Sequence, residues 1–192
     1  VRDGVDILAG FALTPEALGA ADVATQAEKL MVVMNAATSV VTEMSPYIVR
    51  TSVTIPQVNY PFGKWAYESG VTQAYTLVAD YGPGHDAEQS FARGFTEAGG
   101  EIIGADNTPV ANPDFSAYVQ RVRGADPEAV YIFIPGGAQP AAIGKALAER
   151  GLTPPDTKIF GQGELTHPEA LESMGENALG IITTFHYTLE RD

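Results

Sequence analysis

Residues that could bind a small anion follow several apolar stretches of this sequence. The set comprises Phe11, Thr14, Ala36, Ala37, Thr38, Tyr81, Gly136 and Gly137. Thr14 comes directly before Pro15 and Glu16, which is the pattern of a helix N-terminus. The free N–H groups and the positive dipole end at such a terminus favour an anion such as a carboxylate. The alternative is that the Thr14 hydroxyl only caps its own helix, and the two interpretations are compatible.

The turn Gly82-Pro83-Gly84 has the layout of a phosphate-binding loop, since it follows an apolar stretch and precedes a helix pattern. Two features argue against a phosphate site. Ala87 stands where a dinucleotide fingerprint has its third glycine, and Pro83 lacks the N–H that would bind a phosphate oxygen. No Gly-Lys-Ser or Gly-Lys-Thr of a Walker loop occurs. The sequence therefore predicts a tight strand-to-helix turn.

The sequence offers no pattern typical of a catalytic centre or a metal site. It has no Gly-x-Ser-x-Gly elbow, and His85, His167 and His186 are far apart and lack the i, i+4 spacing of a helical zinc pair. The absence of cysteine excludes thiolate ligands, a cysteine nucleophile and disulfides. We therefore predict a protein that is not an enzyme and that uses no cofactor and no metal.

The charge of the chain bears on its partners. Its 192 residues include 24 acidic and 11 basic ones, for a net charge of −13. Such a field repels nucleic-acid backbones and anionic membrane surfaces, so neither is an expected partner. No apolar run approaches the roughly 20 residues that a membrane-spanning helix needs.

The candidate residues must be positioned by alternating strands and helices. Apolar runs predict strands at residues 5–9, 30–34, 47–51, 74–79, 101–105, 129–134, 158–160 and 180–184, the first of them buried. Helix patterns lie between them, and Asn112 is predicted to cap the one that contains Val119 and Val122. This alternation indicates an α/β fold with doubly wound parallel sheets, in which ligands bind beyond the carboxyl ends of the strands.

The order of several motifs carries a family resemblance. The stretches are "DILAGFALTPEALGAADVATQAEKL", "SPYIVRTS", "TLVADYGPGHDAEQSF", "NPDFSAYVQRVRGADPEAVYIF" and "GQGELTHPEALESMGENALGIITT". Together they resemble the branched-chain-amino-acid (Leu/Ile/Val-binding) class of periplasmic solute-binding proteins, the receptors of ABC importers. The resemblance implies a periplasmic protein that captures a small carboxylate and delivers it to an ABC permease of the inner membrane.

The same resemblance implies a two-lobed periplasmic-binding-protein fold of type I. Residues 1–53 would be the later part of an incomplete first lobe, residues 54–187 a nearly complete second lobe, and residues 188–192 the start of a return crossing. The sequence lacks an initiator Met and a signal peptide and enters a strand almost at once. We therefore expect a piece of a longer exported protein.

The family pattern also assigns roles to individual positions. Thr14 and Thr38 correspond to its carboxylate-binding hydroxyls, and Ala36, or Ala37 after a one-residue slip, to its backbone contact. Tyr81 corresponds to the aromatic residue that covers the ligand, and Gly136 to the second contact of lobe two. Glu164 corresponds to the acid that pairs with a ligand's ammonium group. Phe11 would help to enclose the ligand. An ungapped match places Gly163 at the position of the acid.

The expected ligand type depends on whether an acidic residue, Glu164, occupies the position that pairs with an ammonium group. A buried ammonium group must be paired, whereas a carboxylic acid without an amine needs only the hydroxyls and the helix terminus. We therefore expect an aromatic or hydrophobic carboxylate in preference to leucine or valine. One alternative is a ligand-sensing regulatory or receptor domain of the same fold. The other is a metabolic enzyme, although the incomplete glycine pattern at residues 82–87 argues against a nucleotide cofactor.

One expectation concerns assembly. Without the rest of lobe one, the sheet that contains strands 5–9 and 30–34 would expose an unpaired edge and an apolar face. The fragment would then pair with another chain as a dimer or a swapped assembly.

Overall fold

The computed structural model describes residues 4–187, which form two parallel β-sheets with flanking helices. The strands are β1 (Ile7–Gly10), β2 (Leu30–Val33), β3 (Ile48–Arg50), β4 (Gln73–Ala79), β5 (Glu101–Thr108), β6 (Ala129–Phe133), β7 (Lys158–Gln162) and β8 (Ile182–Thr184). The α-helices are α1 (Thr14–Gln26), α2 (Ile55–Glu68), α3 (Gly82–Ala98), α4 (Ser116–Ala125), α5 (Gln139–Glu149) and α6 (Pro168–Met174). Short 3₁₀ helices cover Ser39–Glu43, Gly163–Thr166 and Gly175–Ala178.

The chain divides into two compact units between Gln57 and Val58, within the first turn of α2. The first unit contains β1–β3 and the second contains β4–β8. Whether these units are the two predicted lobes, with the boundary near residue 53, stays a prediction. The predicted return crossing at residues 188–192 lies outside the described residues.

The first unit is a parallel sheet in the order β1-β2-β3 with α1 packed on one face. Alanines spaced three and four residues apart on α1 lie buried against the sheet, so the helix approaches closely; they are Ala17, Ala21 and Ala24. The opposite face carries Ile7, Leu30 and Val49, which are all exposed.

The prediction of a buried first strand is wrong. Ile7 is 56% exposed, because β1 is the edge strand of this sheet and Ile7 points away from the face that packs on α1.

The second unit is a five-stranded parallel sheet in the order β5-β4-β6-β7-β8. Its central strand β6 sends alternate side chains to opposite faces. Val130 and Ile132 join a core that includes residues of α4 and α5. Tyr131 stacks on Phe91 of α3 on the other face, with 4.1 Å between ring centroids. Both faces are thus covered by helices, which confirms the predicted doubly wound arrangement.

Two glycines let α2 and α3 pack backbone against backbone. A Cβ atom at Gly63 would lie 2.2 Å from the Phe91 carbonyl oxygen, and one at Gly94 would lie 2.1 Å from the Tyr60 carbonyl oxygen. No side chain larger than hydrogen fits this contact unless the helices move apart.

The predicted cap of the fourth helix is wrong. Asn112 has a positive φ of 46° and lies outside α4, which begins at Ser116. The Ser116 N–H instead donates to Asp114 Oδ1 at 3.0 Å. Asn112 adopts the left-handed backbone conformation, which asparagine tolerates better than most residues, and it does not cap the helix. Within residues 4–187, no helix has the length and apolarity needed to cross a membrane.

Candidate ligand-binding site

Two threonine hydroxyls meet at the carboxyl end of the first sheet. Thr14 begins α1, and Thr38 lies between β2 and the 3₁₀ helix Ser39–Glu43. Their Oγ1 atoms are 2.6 Å apart, and the residues are only 5% and 3% exposed. One hydroxyl donates to the other, and no acceptor among residues 4–187 takes the proton of the accepting hydroxyl, which stays available for an outside acceptor. When one hydroxyl accepts a hydrogen bond from another, its own proton becomes a stronger donor.

The interpretation that Thr14 caps its own helix is wrong. The N-cap residue is Leu13, whose N–H donates to Glu16 Oε2 at 3.2 Å. The Thr14 hydroxyl is therefore directed to Thr38, 24 residues away in sequence. Pro15 has no N–H, and the Glu16 carboxylate offsets part of the helix dipole.

The neighbouring backbone distinguishes Ala37 from Ala36. The Ala36 N–H donates to the Phe11 carbonyl at 2.9 Å, whereas the Ala37 carbonyl accepts from the Ile55 N–H at 3.0 Å. Among the residues that the structure describes, none accepts a hydrogen bond from the Ala37 N–H. This geometry favours the one-residue slip that makes Ala37, rather than Ala36, the backbone donor.

Phe11 occupies a strained turn directly after β1. Its φ of 67° is unusual for a residue other than glycine, and it directs the Phe11 carbonyl to Ala36. The Phe11 side chain is half-buried and packs on the core of the first unit. The turn therefore has a clear structural role.

In the second unit, Tyr81 lies between β4 and α3 as the N-cap residue of the helix. The Tyr81 ring is tilted against Phe133 of β6, with 6.2 Å between centroids. Burial, reinforced by the charge of Glu164, raises the pKa of Tyr81 to about 12. Its hydroxyl is therefore neutral at physiological pH and can both donate and accept.

The residues 82–84 form the first turn of α3 rather than a separate loop. A Cβ atom at Gly84 would lie 1.9 Å from the Ala79 carbonyl oxygen, so glycine is required for the helix to start this close to the strand. Gly84 thus serves strand–helix packing, and Tyr81 precedes this first turn at the carboxyl end of β4. Beside Tyr81, His85 Nε2 and Asp80 Oδ1 form an exposed pair at 3.0 Å.

A cavity of about 180 Å³ lies beyond the carboxyl ends of β6 and β7. It is lined by Gly136, Gly137, Glu164, His167, Glu169 and Ala170. A Cβ atom at Gly136 would lie 3.2 Å from Glu164 Oε2, so the glycine leaves room for this carboxylate. With two carboxylates and an imidazole on its walls, the cavity suits a group that donates hydrogen bonds.

The structure distinguishes Glu164 from Gly163 at the predicted acid position. The Phe185 ring covers Gly163, where a Cβ atom would lie 2.4 Å from Phe185 Cδ2. Glu164 instead lines the cavity, and its charge acts on Tyr81. Sequence reasoning missed His167 and Glu169 as cavity residues; the helix-start pattern His167-Pro168-Glu169 after β7 was the available signal.

Each unit offers its own set of polar groups. The first unit supplies a hydroxyl proton and a backbone N–H, which suit a carboxylate. The second supplies the Glu164 carboxylate and a neutral phenol in Tyr81. Within residues 4–187, no cluster of three or more histidine, aspartate or glutamate side chains could hold a metal ion. These groups are suited to binding a small polar molecule.

Comparisons with known proteins identify the family of this chain. The family model described as "Periplasmic binding protein" matches residues 1–192. The chain is 43% identical over 192 residues to "Leu/Ile/Val-binding protein homolog 6" of Brucella melitensis and of Brucella abortus. The match covers all of this chain and 49% of each relative, so the chain spans about half the length of these curated relatives.

Two solved structures from Rhodopseudomonas palustris are also similar. An ABC-transporter solute-binding protein of strain BisB5, in complex with 3,4-dihydroxybenzoic acid, shares 46% identity at a TM-score of 0.86, over 94% of this chain and 50% of that one. A second, of strain HaA2 and in complex with p-hydroxybenzoic acid, shares 38% identity at a TM-score of 0.93, over 100% of this chain and 52% of that one.

Proposed function

Because the chain belongs to the periplasmic binding protein family, we propose that the protein is a periplasmic solute-binding receptor of an ABC importer, without enzymatic activity. It binds a small carboxylate and delivers it to a permease. The observation that carries this proposal is the nearly buried Thr14–Thr38 hydroxyl pair, with its 2.6 Å contact. Since the chain spans about half of its curated relatives, the proposal concerns the whole protein.

The carboxylate is held by the first unit. Its oxygens accept from the free proton of the Thr14–Thr38 pair and from the Ala37 N–H, which has no acceptor among the described residues. Hydrogen bonds to a charged group contribute about 1.5–3 kcal/mol each.

Groups of the second unit bear on the ligand class. We infer a hydroxylated aromatic acid, because Tyr81 and Phe133 present aromatic surface and Glu164 can accept a hydrogen bond from a phenolic hydroxyl. The bound 3,4-dihydroxybenzoic and p-hydroxybenzoic acids of the two Rhodopseudomonas proteins support this ligand class. The name of the Brucella relatives supports a branched-chain amino acid instead, whose ammonium group Glu164 could pair.

Calorimetric titration of the intact protein with 4-hydroxybenzoate, benzoate and leucine distinguishes these ligands. We expect 4-hydroxybenzoate to bind most tightly, benzoate more weakly because it leaves Glu164 without a donor, and leucine not at all. Glu164→Gln should reduce the preference for 4-hydroxybenzoate over benzoate. Binding of leucine without binding of either aromatic acid would overturn the proposed ligand class.

A further inference from the structure

The Arg50 side chain donates hydrogen bonds to several carbonyl groups of the loop that contains Thr38. Arg50 ends β3 and is partly buried. Its Nη1 donates to the Ala36 carbonyl at 3.0 Å and to the Thr38 carbonyl at 2.7 Å. Its Nη2 donates to the Ser39 carbonyl at 3.3 Å. One guanidinium thus binds three carbonyl oxygens within four residues of chain.

This arrangement fixes the direction of the donor in the loop. In a trans peptide the C=O and N–H bonds point in opposite directions. Since the Ala36 carbonyl points to Arg50, the N–H of the same peptide, which belongs to Ala37, points away from the guanidinium. The bond to the Thr38 carbonyl also anchors the residue whose hydroxyl lies 2.6 Å from that of Thr14.

We propose that Arg50 is a positioning residue for carboxylate binding, which orients the Ala37 N–H and the Thr38 hydroxyl without touching the ligand. This inference rests on the proposed function. Lysine cannot replace arginine here, because the planar guanidinium presents its donors in a fixed fork, whereas an ammonium group is a compact charge on a flexible stem. The fork, and not only the positive charge, is the required feature.

Three variants of the intact protein separate positioning from charge. Arg50→Lys keeps the charge and loses the fork, and Arg50→Met loses both. Lys29→Met is the matched control, because it removes one positive charge from the same unit, where Lys29 pairs with the exposed Asp6. With 4-hydroxybenzoate and benzoate as probes, we expect at least tenfold weaker binding for both Arg50 variants and less than twofold change for Lys29→Met. Wild-type affinity in Arg50→Lys would overturn the proposal.

Amide hydrogen exchange without ligand tests the local geometry separately. The Ala36 N–H, bonded to the Phe11 carbonyl, should exchange at least tenfold faster in Arg50→Lys because the loop is released. The Met31 N–H, bonded to the Tyr47 carbonyl in the sheet, serves as reference and should not change. Unchanged exchange at Ala36, or equal acceleration at Met31, would overturn the proposal.

The binding titrations and the exchange measurements together distinguish a failure of this inference from a failure of the proposed function. If the wild-type protein binds neither aromatic acid, the proposed ligand class is overturned while the exchange rates still decide whether Arg50 holds the loop. If the wild-type protein binds and Arg50→Lys binds equally well, only the role of Arg50 is overturned.

Discussion

At the scale of single residues, the binding hypothesis depends on where two hydroxyl protons point. The Thr14 and Thr38 side chains satisfy each other at 2.6 Å, and neither hydroxyl caps a helix. A buried pair of this kind has one proton left over, and a carboxylate is the acceptor that gains most from it.

Replacing Thr38 with alanine removes one member of this pair. We expect Thr38→Ala to weaken binding of a carboxylate by about 1–3 kcal/mol, or roughly 5- to 150-fold, because a bond to a charged group is no longer made. Calorimetric titration of the intact protein measures this change. The control is Thr25→Ala, since the Thr25 hydroxyl donates only within α1, to the Ala21 carbonyl. Equal affinity of Thr38→Ala and wild type would remove Thr38 from the site.

At the scale of elements, close backbone contacts and a charged network hold the second sheet and its helices together. The contact between α2 and α3 requires Gly63 and Gly94. At the opposite side of the unit, Asp106 of β5 accepts from Tyr75 of β4 at 2.7 Å and from both Arg121 Nε and Nη2 of α4. These contacts fix the helices on both faces of the sheet whose carboxyl edge carries Tyr81 and Glu164.

A methyl group at position 94 should force α2 and α3 apart. We expect Gly94→Ala to lower the free energy of unfolding by about 1–3 kcal/mol, the usual cost of overpacking, because its Cβ atom would lie 2.1 Å from the Tyr60 carbonyl oxygen. Gly124→Ala in α4 is the matched control, since nothing lies within 4 Å of its Cβ and alanine favours a helix. Urea unfolding compares the two, and equal stability would contradict the tight helix contact.

The network around Asp106 should make stability depend on pH in the acid range. Partial burial alone would raise the pKa of the Asp106 carboxyl, but hydrogen bonds from Arg121 and Tyr75, with the charge of Arg121, hold its pKa below the ordinary value. The folded-state pKa is thus below the unfolded-state pKa of about 3.9. The stabilisation is present above the unfolded-state pKa and is lost as pH falls through the folded-state pKa.

Asp106→Asn tests this dependence. We expect the variant to be less stable than wild type at pH 7. The difference should shrink as pH falls below about 4, where the Asp106 carboxyl of the unfolded wild-type chain begins to take up a proton. Urea unfolding at a series of pH values measures both curves. A stability difference that is the same at pH 7 and pH 3 would show that the charge of Asp106 is not involved.

At the scale of the whole molecule, one face of the first sheet is apolar and exposed. Ile7, Leu30 and Val49 lie on it, and parallel sheets are normally covered on both faces. We therefore expect the 192-residue chain, expressed by itself, to self-associate through this face and the free edge of β1. Light scattering over a range of concentrations should show a mass above that of the monomer. Val49→Lys should restore the monomer, and a strictly monomeric wild-type chain would contradict this prediction.

The sequence by itself determined most of the strands and helices, and it placed the proposed binding residues at the carboxyl ends of the strands. Strands were predictable because apolar runs such as residues 129–134 must be buried on both faces, and the observed β6, Ala129–Phe133, differs by one residue. Helix faces were predictable because Ala87, Phe91 and Phe95 recur at helical spacing and are buried. Both signals are local, since they depend on residues a few positions apart.

Only the tertiary structure decided which of two adjacent groups is available for binding. The Ala36 N–H donates to the Phe11 carbonyl, whereas the Ala37 N–H has no acceptor within residues 4–187. Glu164 rather than Gly163 lines the cavity because Phe185 covers Gly163. Neighbouring residues look alike to a pattern, but their partners come from segments more than twenty residues away. A hydrogen bond or a steric contact depends on atomic distances that exist only once those segments have packed together.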